Sequence, residues 1–491
     1  MSGTVGGRWT AEKVQSADGL QDQNAGPFTI CFARPVDIHL ELDRAAPLRG
    51  QLEHELRAAI RSGRLRAGAK LPPSRVLAGE LQVSRGVVVE AYSQLVAEGY
   101  LVGRRGYGTR IADGLAQQPP APRAPSAAAT RIRYDLRSGI PDLSFFPRRD
   151  WQSAMSSALR ELPDPALSYG SRRGLRQLRI ALSDYLGRVR AVVADPERVF
   201  IFSGAAHGMG LVWHTLRQRG AERVAVEDPA WSAIPGTVVQ AGLEPVPIAV
   251  DEHGLDVSQL EQSSVDAVVL SPAHQYPTGR VLAPERRSEL IAWARRRGTL
   301  IVEDDYDAEY RYDREPIAAL QGLAPDCVAY VGTASKTLAP GVRLGWGIVP
   351  SHLVAEMAVQ HSVARATPSV IMQAGYAKLL ERGDIDRHLR RTRRQYHARQ
   401  SALIEALEKS LPEASVAGAA AGLHLIAWLP AGSDEDSIAE AAAGRGVAIH
   451  TLHQNCTTTA PIAPALILGY GLIGVPAIPS AVEQLAMAVG R

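Results

Sequence analysis

One lysine, Lys336, sits in a turn of small residues between two apolar runs. In Tyr330–Pro350, YVGTASKTLAPGVRLGWGIVP, no carboxylate lies within five positions of it, and Arg343 follows seven residues on. An amine in such a turn accepts the close approach of a flat aldehyde. Partial desolvation lowers its pKa from about 10.4 and makes it nucleophilic. Four other short stretches carry complementary groups. Glu303-Asp304-Asp305-Tyr306 follows an apolar run and offers a carboxylate for a pyridine nitrogen and a phenol for a ring hydroxyl; a calcium site or a solvated turn would use the same acids. Ser203-Gly204-Ala205-Ala206 opens a helix, whose free N–H groups and dipole receive a phosphate. Glu227-Asp228-Pro229-Ala230-Trp231 brings an aromatic face that either stacks on a ring or belongs to the core, and Ser271-Pro272-Ala273-His274-Gln275-Tyr276-Pro277-Thr278-Gly279 completes a wall. Amine, carboxylate, phenol, phosphate cradle and aromatic face are together what a pyridoxal 5'-phosphate (PLP) site requires.

These groups need strand ends to hold them. Beyond Tyr134 the sequence alternates apolar strand-like runs with helical patterns, which predicts a doubly wound α/β domain. Candidate strands are Val199–Phe202, Arg223–Val226, Ala267–Leu270, Leu300–Val302, Val328–Val331 and Gly345–Val349, with helices at Ala206–Arg219 and Pro284–Arg297. A long arginine-rich helix, about Ile385 to Leu407, leads into a smaller α/β unit with strands at Gly422–Trp428 and Leu466–Leu468.

At 491 residues the chain is too long for one domain. Its 46% hydrophobic and 21% charged composition is that of a globular protein, and three scattered cysteines imply neither a disulfide framework nor a metal cage. No apolar run reaches the ~18 residues of a membrane span and no export signal is visible, so the expectation is a cytoplasmic protein. The charge is uneven. Arg44 to Asp113 holds twelve Lys and Arg against six Asp and Glu, while the whole chain is only +3. A basic module on a mildly acidic body suggests a nucleic-acid reader.

That module has its own pattern. Leu52, Leu56, Ala59 and Ile60 follow helical spacing up to Ser62-Gly63; Ser74 is the expected cap of a second helix with Val76, Leu77 and Leu81 inward; Ser84 caps a third, with Val87, Val88, Ala91, Tyr92 and Leu95 recurring before Gly99. Tyr100–Val102 and Thr109–Ile111 then flank a basic, glycine-bearing hairpin tip. The order predicts a winged helix-turn-helix at residues 44–113, after a mobile extension (1–43). The Pro/Ala-rich stretch 114–131 reads as a linker able to reach about 56 Å, ahead of a body at 132–491 whose small subdomain starts near residue 408.

The stretches LRAAIRSGRLRAGAKLPPSR, LQVSR, EAYSQLVAEGYL and GYGT closely resemble the GntR family of bacterial regulators. The resemblance implies that Arg75, Ser84, Arg85 and Gly86 face DNA, with Arg105 and Gly106 at the wing. Gly86 departs from the threonine or asparagine often found there and removes a side-chain contact. Residues ~134–490 resemble fold-type I PLP enzymes of the aspartate aminotransferase superfamily, and the two parts together resemble the MocR subfamily of regulators. By that resemblance Lys336 forms a Schiff base with PLP, Asp304 pairs with the pyridine nitrogen and Tyr306 bonds the phenolic oxygen. Gly204, Ala205, Thr333, Ser335 and Arg343 hold the phosphate, Trp231 stacks on the ring, and Tyr169 reaches the phosphate of a neighbouring subunit, implying a homodimer.

Two departures bear on function. Tyr276 stands where aminotransferases carry the asparagine of an Asn-Pro-Thr-Gly motif. No arginine occurs between Gly446 and Gly490, where the superfamily usually clamps a substrate carboxylate; His450, His453 and Gln454 are the polar residues there, and Arg365 is another possible source of the clamp. Relatives that sense amino acids can carry an arginine two positions after the stacking aromatic, where this chain has Ala233. The expectation is a PLP-dependent transcriptional regulator binding paired half-sites on double-stranded DNA and sensing PLP itself or an amino-acid-like effector. The alternatives are a working aminotransferase with an accessory DNA-binding module, and a DNA-binding protein whose second domain is an inert scaffold.

Overall fold

A computed structural model describes residues 42–44, 46–104, 108–113, 132–168, 170–312, 317–364, 366–418, 421–458 and 462–490. The chain divides into two compact units, residues 1–128 and 129–491. The expected linker and all of the expected N-terminal extension except Leu42 and Asp43 lie outside the described residues.

In the first unit, Leu52, Leu56, Ala59 and Ile60 form the buried stripe of α1 (Leu48–Arg61). α2 (Ser74–Glu80) and α3 (Arg85–Ala97) close over it with Leu77, Ala78, Val88, Ala91, Tyr92 and Leu95. The Ser84 hydroxyl accepts from the Val87 N–H at 3.4 Å and caps α3, a contribution of about 1 kcal/mol. Two expectations fail. Ser74 is the first residue of α2 rather than its cap; Pro73 occupies the cap and no side chain bonds the free N–H groups. Val76 is 47% exposed, because a two-turn helix buries only the stripe that Leu77 and Ala78 occupy. Gly99, at φ +81°, turns the chain into β1 (Leu101–Arg104), which pairs antiparallel with β2 (Gly108–Ile111), Leu101 opposite Ile111 and Arg104 opposite Gly108.

The second unit holds β3 (Tyr134–Asp135), β4 (Val199–Phe202), β5 (Arg223–Asp228), β6 (Glu244–Asp251), β7 (Gly254–Leu255), β8 (Ala267–Leu270), β9 (Leu300–Asp305), β10 (Val328–Thr333) and β11 (Gly345–Ile348). Its last stretch adds β12 (Ser415–Ala417), β13 (His424–Trp428), β14 (Val447–Ala448), β15 (His450–Thr451) and β16 (Ala465–Gly469). Eight strands form one sheet in the order β4-β11-β10-β9-β8-β5-β6-β7. β10, β9, β8, β5 and β6 are parallel, and β11 runs against both β10 and β4, so β4 shares the common direction. Helices Ala205–Gln218 and Pro284–Arg297 bury Trp213 and Trp293 in separate apolar clusters that also take the sheet residues Phe202, Val226 and Val302 on one side and Ala225, Val268 and Ile301 on the other. Such coverage explains the continuous apolar runs of the parallel strands. A smaller antiparallel sheet, β12-β13-β16-β15, follows helix Asp384–Ser410. The first unit is the expected winged helix-turn-helix, and the second is the expected large doubly wound α/β domain with a small C-terminal α/β subdomain.

Candidate functional site

Six strands that run the same way end along one edge of the large sheet, where open α/β folds place their ligands. A cavity of about 510 Å³ opens there, lined from β4 by Ser203, Gly204 and Ala205, from β5 by Trp231, from β8 by Tyr276, from β9 by Asp304 and Tyr306, and from the β10–β11 connection by Thr333, Ser335, Lys336 and Arg343. The fold thus brings together every cofactor-binding residue expected from the sequence except Tyr169, which lies outside the described residues.

Lys336 is largely enclosed, and its Nζ donates to the Gly139 carbonyl at 2.5 Å. Burial pulls its pKa down, against the pull of Asp307 and Asp304 in the other direction. The amine is therefore easier to deprotonate than a surface lysine, as a nucleophile needs.

Strand alternation sorts the acidic run. Glu303 and Asp305 face one side of β9: Glu303 accepts the Leu320 and Gln321 N–H groups at 3.0 and 2.9 Å, and Asp305 pairs with buried Arg190 at 2.7 Å and accepts the Tyr330 hydroxyl at 2.7 Å. Asp304 faces the cavity and has no hydrogen-bond partner among the described residues, with Oδ1 fully buried. Burial, then repulsion from Asp305, pushes its carboxyl up to about 7. The alternative of a calcium site in this run finds no support, since its two neighbours are spent on structural bonds. Tyr306 lies 3.0 Å from His274 Nδ1, and the Tyr276 hydroxyl lies 2.9 Å from that of Ser138.

Gly204, at φ +120°, precedes helix Ala205–Gln218 and leaves its first N–H groups open to the cavity. A Cβ on Gly345 would come within 2.8 Å of the Gly204 carbonyl carbon and 3.0 Å of the Ala205 nitrogen, so β11 approaches this turn only as glycine. Arg343 is held at φ +53° at the cavity mouth, exposed and without an ion pair among the described residues. Thr333 and Ser335 hydroxyls stand 2.9 Å apart beside it. Trp231 is 42% exposed, which excludes the core reading and leaves an indole face toward the cavity.

These features fit PLP. An unpartnered buried carboxylate suits a pyridinium, an anion cup at a helix start suits a phosphate, and a free arginine stands beside that cup. The domain binds PLP, and when bound the group supplies an electrophilic aldehyde and an electron-withdrawing ring.

Around this set stand residues that the sequence did not single out: Ser138, Gly139, His207, Asp307 and His424. Ser138 and Gly139 lie about two hundred positions from Lys336 and carry no spacing signal; Asp307 was readable as the next member of the acidic run. His450 and Gln454 line the cavity, whereas His453 turns to Glu435 at 3.0 Å. Arg365 lies outside the described residues.

In the first unit Arg75, Ser84, Arg85 and Gly86 are all exposed. Neither Arg75 nor Arg85 has a hydrogen bond or ion pair among the described residues, whereas Arg49 and Arg57 pair with Glu90 and Glu98. Arg105 and Gly106 lie outside the described residues. None of the helices described is long and apolar enough to cross a membrane.

Residues 136–457 match the family model "Aminotransferase class I and II", and residues 48–111 match "Bacterial regulatory proteins, gntR family". The chain is 32% identical over 405 residues to the HTH-type pyridoxine biosynthesis transcriptional regulator PdxR of Corynebacterium glutamicum, covering 82% of this chain and 87% of that protein. It is 30% identical over 452 residues to the probable rhizopine catabolism regulatory protein MocR of Rhizobium meliloti, covering 88% and 91%. Among solved structures, the multiple substrate aminotransferase of Thermococcus profundus superposes with a TM-score of 0.67 at 26% identity, covering 74% of this chain and 92% of that one. A gntR-type DNA-binding unit and a PLP-binding aminotransferase body in one chain, matched over more than four fifths of its length by regulators of the same build, place the protein in the MocR/PdxR-type family of HTH transcriptional regulators.

Proposed function

We propose that this chain is a homodimeric transcriptional regulator whose hold on paired DNA half-sites responds to PLP, taken up through Lys336. One observation carries the reading. Among the described residues, Lys336 and Arg343 are the only lysine or arginine lining the cavity. Two cations suit a ligand with one carbonyl and one phosphate. A transamination substrate adds a carboxylate, for which no further guanidinium is present in that lining. A pocket that grips its cofactor without orienting a second reactant is poorly built for turnover.

In this reading Asp304 holds the ring nitrogen's proton, Tyr306 donates to the ring oxygen, and Trp231 covers one ring face. Gly204, Ala205, Thr333, Ser335 and Arg343 bind the phosphate, with Tyr169 of a second copy completing it. Arg75, Ser84, Arg85, Gly86, Arg105 and Gly106 contact DNA, the arginine at the start of α3 reading base edges. The signal reaches the DNA only through a difference in PLP affinity between two states of the dimer. The relative whose printed name concerns pyridoxine biosynthesis supports a B6 compound as the signal.

The test is DNA binding by the purified protein to its own upstream region, cofactor-free and PLP-loaded, with an amino acid panel. A PLP-dependent change in affinity or footprint supports the proposal. An unchanged footprint overturns it, and many turnovers with an amino acid and a 2-oxo acid overturn it in favour of a working aminotransferase.

A further inference from the structure

We propose that His274 and Asp307 are positioning residues that aim the phenolic hydrogen of Tyr306 into the cavity. The inference rests on the reading above only in naming what that hydrogen meets.

His274 Nδ1 has three oxygens around it: both carboxylate oxygens of Asp307 at 3.1 Å and the Tyr306 hydroxyl at 3.0 Å. Both His274 and Asp307 are only 2% exposed. A carboxylate accepts and does not donate, so the hydrogen between the ring and Asp307 belongs to Nδ1. His274 Nε2 is buried with no partner. A hydrogen there would be a donor with nothing to receive it, which also favours the Nδ1–H form.

With Nδ1 protonated, Tyr306 cannot donate to it; the tyrosine oxygen accepts instead, sharing that hydrogen with Asp307. Its own hydrogen needs another acceptor, and among the described residues Tyr306 has no second hydrogen-bond partner. The cavity is the direction left. The titratable and charged groups lining it are Asp304, Glu227, Asp307, Tyr276, Lys336, Arg343, His207, His424 and His450, none of which hydrogen-bonds the Tyr306 hydroxyl, and His424 spends its Nε2 hydrogen on the Pro277 carbonyl at 3.1 Å. A ligand with an anionic ring oxygen beside its aldehyde supplies the missing acceptor.

The packing holds the pair in this register. Gly422 sits at φ +82°, and a Cβ there would fall 2.1 Å from His274 Cε1 and 2.7 Å from an Asp307 oxygen. Its carbonyl accepts the Tyr312 and Tyr470 hydroxyls at 2.7 Å each, so the glycine cannot drift from the imidazole.

The test begins with full-length, cofactor-free protein carrying 15N-histidine, His274 being assigned by the signals lost in His274→Asn. The expected spectrum shows a protonated δ nitrogen and a bare ε nitrogen. The opposite tautomer, or an even mixture, overturns the proposal, and this readout stands whether or not PLP binds. Asp307→Asn should shift the equilibrium toward Nε2–H. In PLP-loaded protein a bond donated to the ring oxygen favours its anion, so losing it should raise the pH midpoint of the visible absorbance by about one unit. Asp307→Asn and Tyr306→Phe should move it in the same direction, and the double variant no further than Tyr306→Phe alone. A midpoint unmoved by Asp307→Asn, or additive shifts, would also sink the idea.

Discussion

Asp304 and Asp305 are neighbours on one strand and have opposite surroundings. Asp305 is paired with Arg190 and Tyr330 inside the protein, while Asp304 faces a cavity with no partner among the described residues. The first is bonded for the fold and the second is held ready for a ligand.

The two asparagine variants should therefore behave oppositely. Asp305→Asn leaves Arg190 buried beside a neutral group and should cost about 3–5 kcal/mol of stability. Asp304→Asn removes an unpaired buried acid and should stabilise the cofactor-free protein at pH 8 by about 1–3 kcal/mol, while weakening PLP binding. Denaturant unfolding and PLP titration measure both.

The pH dependence follows with a definite sign. Asp304 holds its proton up to about 7 in the folded chain against an ordinary 3.8, and burial raises Glu227 from 4.5 to about 8. Between those values the folded state binds more protons than the unfolded one, so these groups take stability away as pH rises through that window. The stability difference between wild type and Asp304→Asn should open between about pH 4 and 7. Melting curves of the two cofactor-free proteins across pH 4–8 would show it, and a constant difference would contradict it.

Lys336→Ala should fold and lose the visible absorbance that PLP-loaded wild type shows. Retention of that band would place the reactive amine elsewhere.

Arg343→Ala should weaken PLP binding about 10–100-fold, the worth of a charge-assisted bond of ~1.5–3 kcal/mol. Gly345→Ala should weaken it as well, without removing a polar group, because its methyl would meet the Gly204–Ala205 backbone. Equilibrium dialysis measures the affinity, and a thermal melt matching that of the cofactor-free wild type separates the effect from a loss of folding.

On the DNA side, Arg85→Ala should cost about 1–3 kcal/mol on the cognate site and relax preference at one base position. Arg75→Ala should weaken all sequences alike and lower the salt-dependence slope by about one. Titrations at several salt concentrations distinguish base reading from phosphate contact.

Legibility in the sequence followed burial. β4, β8 and the helix Pro284–Arg297 stood out because they are apolar runs or patterns with clear stops. β6 did not, because Glu244–Asp251 carries Pro245 and Pro247, which argue against an inner strand. Near the end of the sheet the fold tolerates them, since β7 covers only Val250 and Asp251. Lys336, Asp304 and Arg343 could be named because each lies at or near the end of a readable apolar strand: Asp304 at the end of β9, Lys336 and Arg343 in the connection between β10 and β11. Ser138, Gly139 and His424 reach the cavity only through tertiary folding, and nothing local distinguishes them. Val76 and Ser74 misled because a two-turn helix is too short for its pattern to fix a face.

Thr333, Ser335, Lys336 and Arg343 all belong to a single connection between adjacent strands, pinned where the Ala334 N–H meets the Leu344 carbonyl at 3.0 Å. The spacing between the reactive nitrogen and the hydroxyls and guanidinium beside the anion cup is thus set by one connection, which acts as a caliper, while Gly204 and Ala205 supply the cup itself from the turn after β4. A vitamer shorn of its phosphate, or lengthened between ring and phosphate, can touch one jaw but not both. Selection by length would then reside in the bond-forming segment itself.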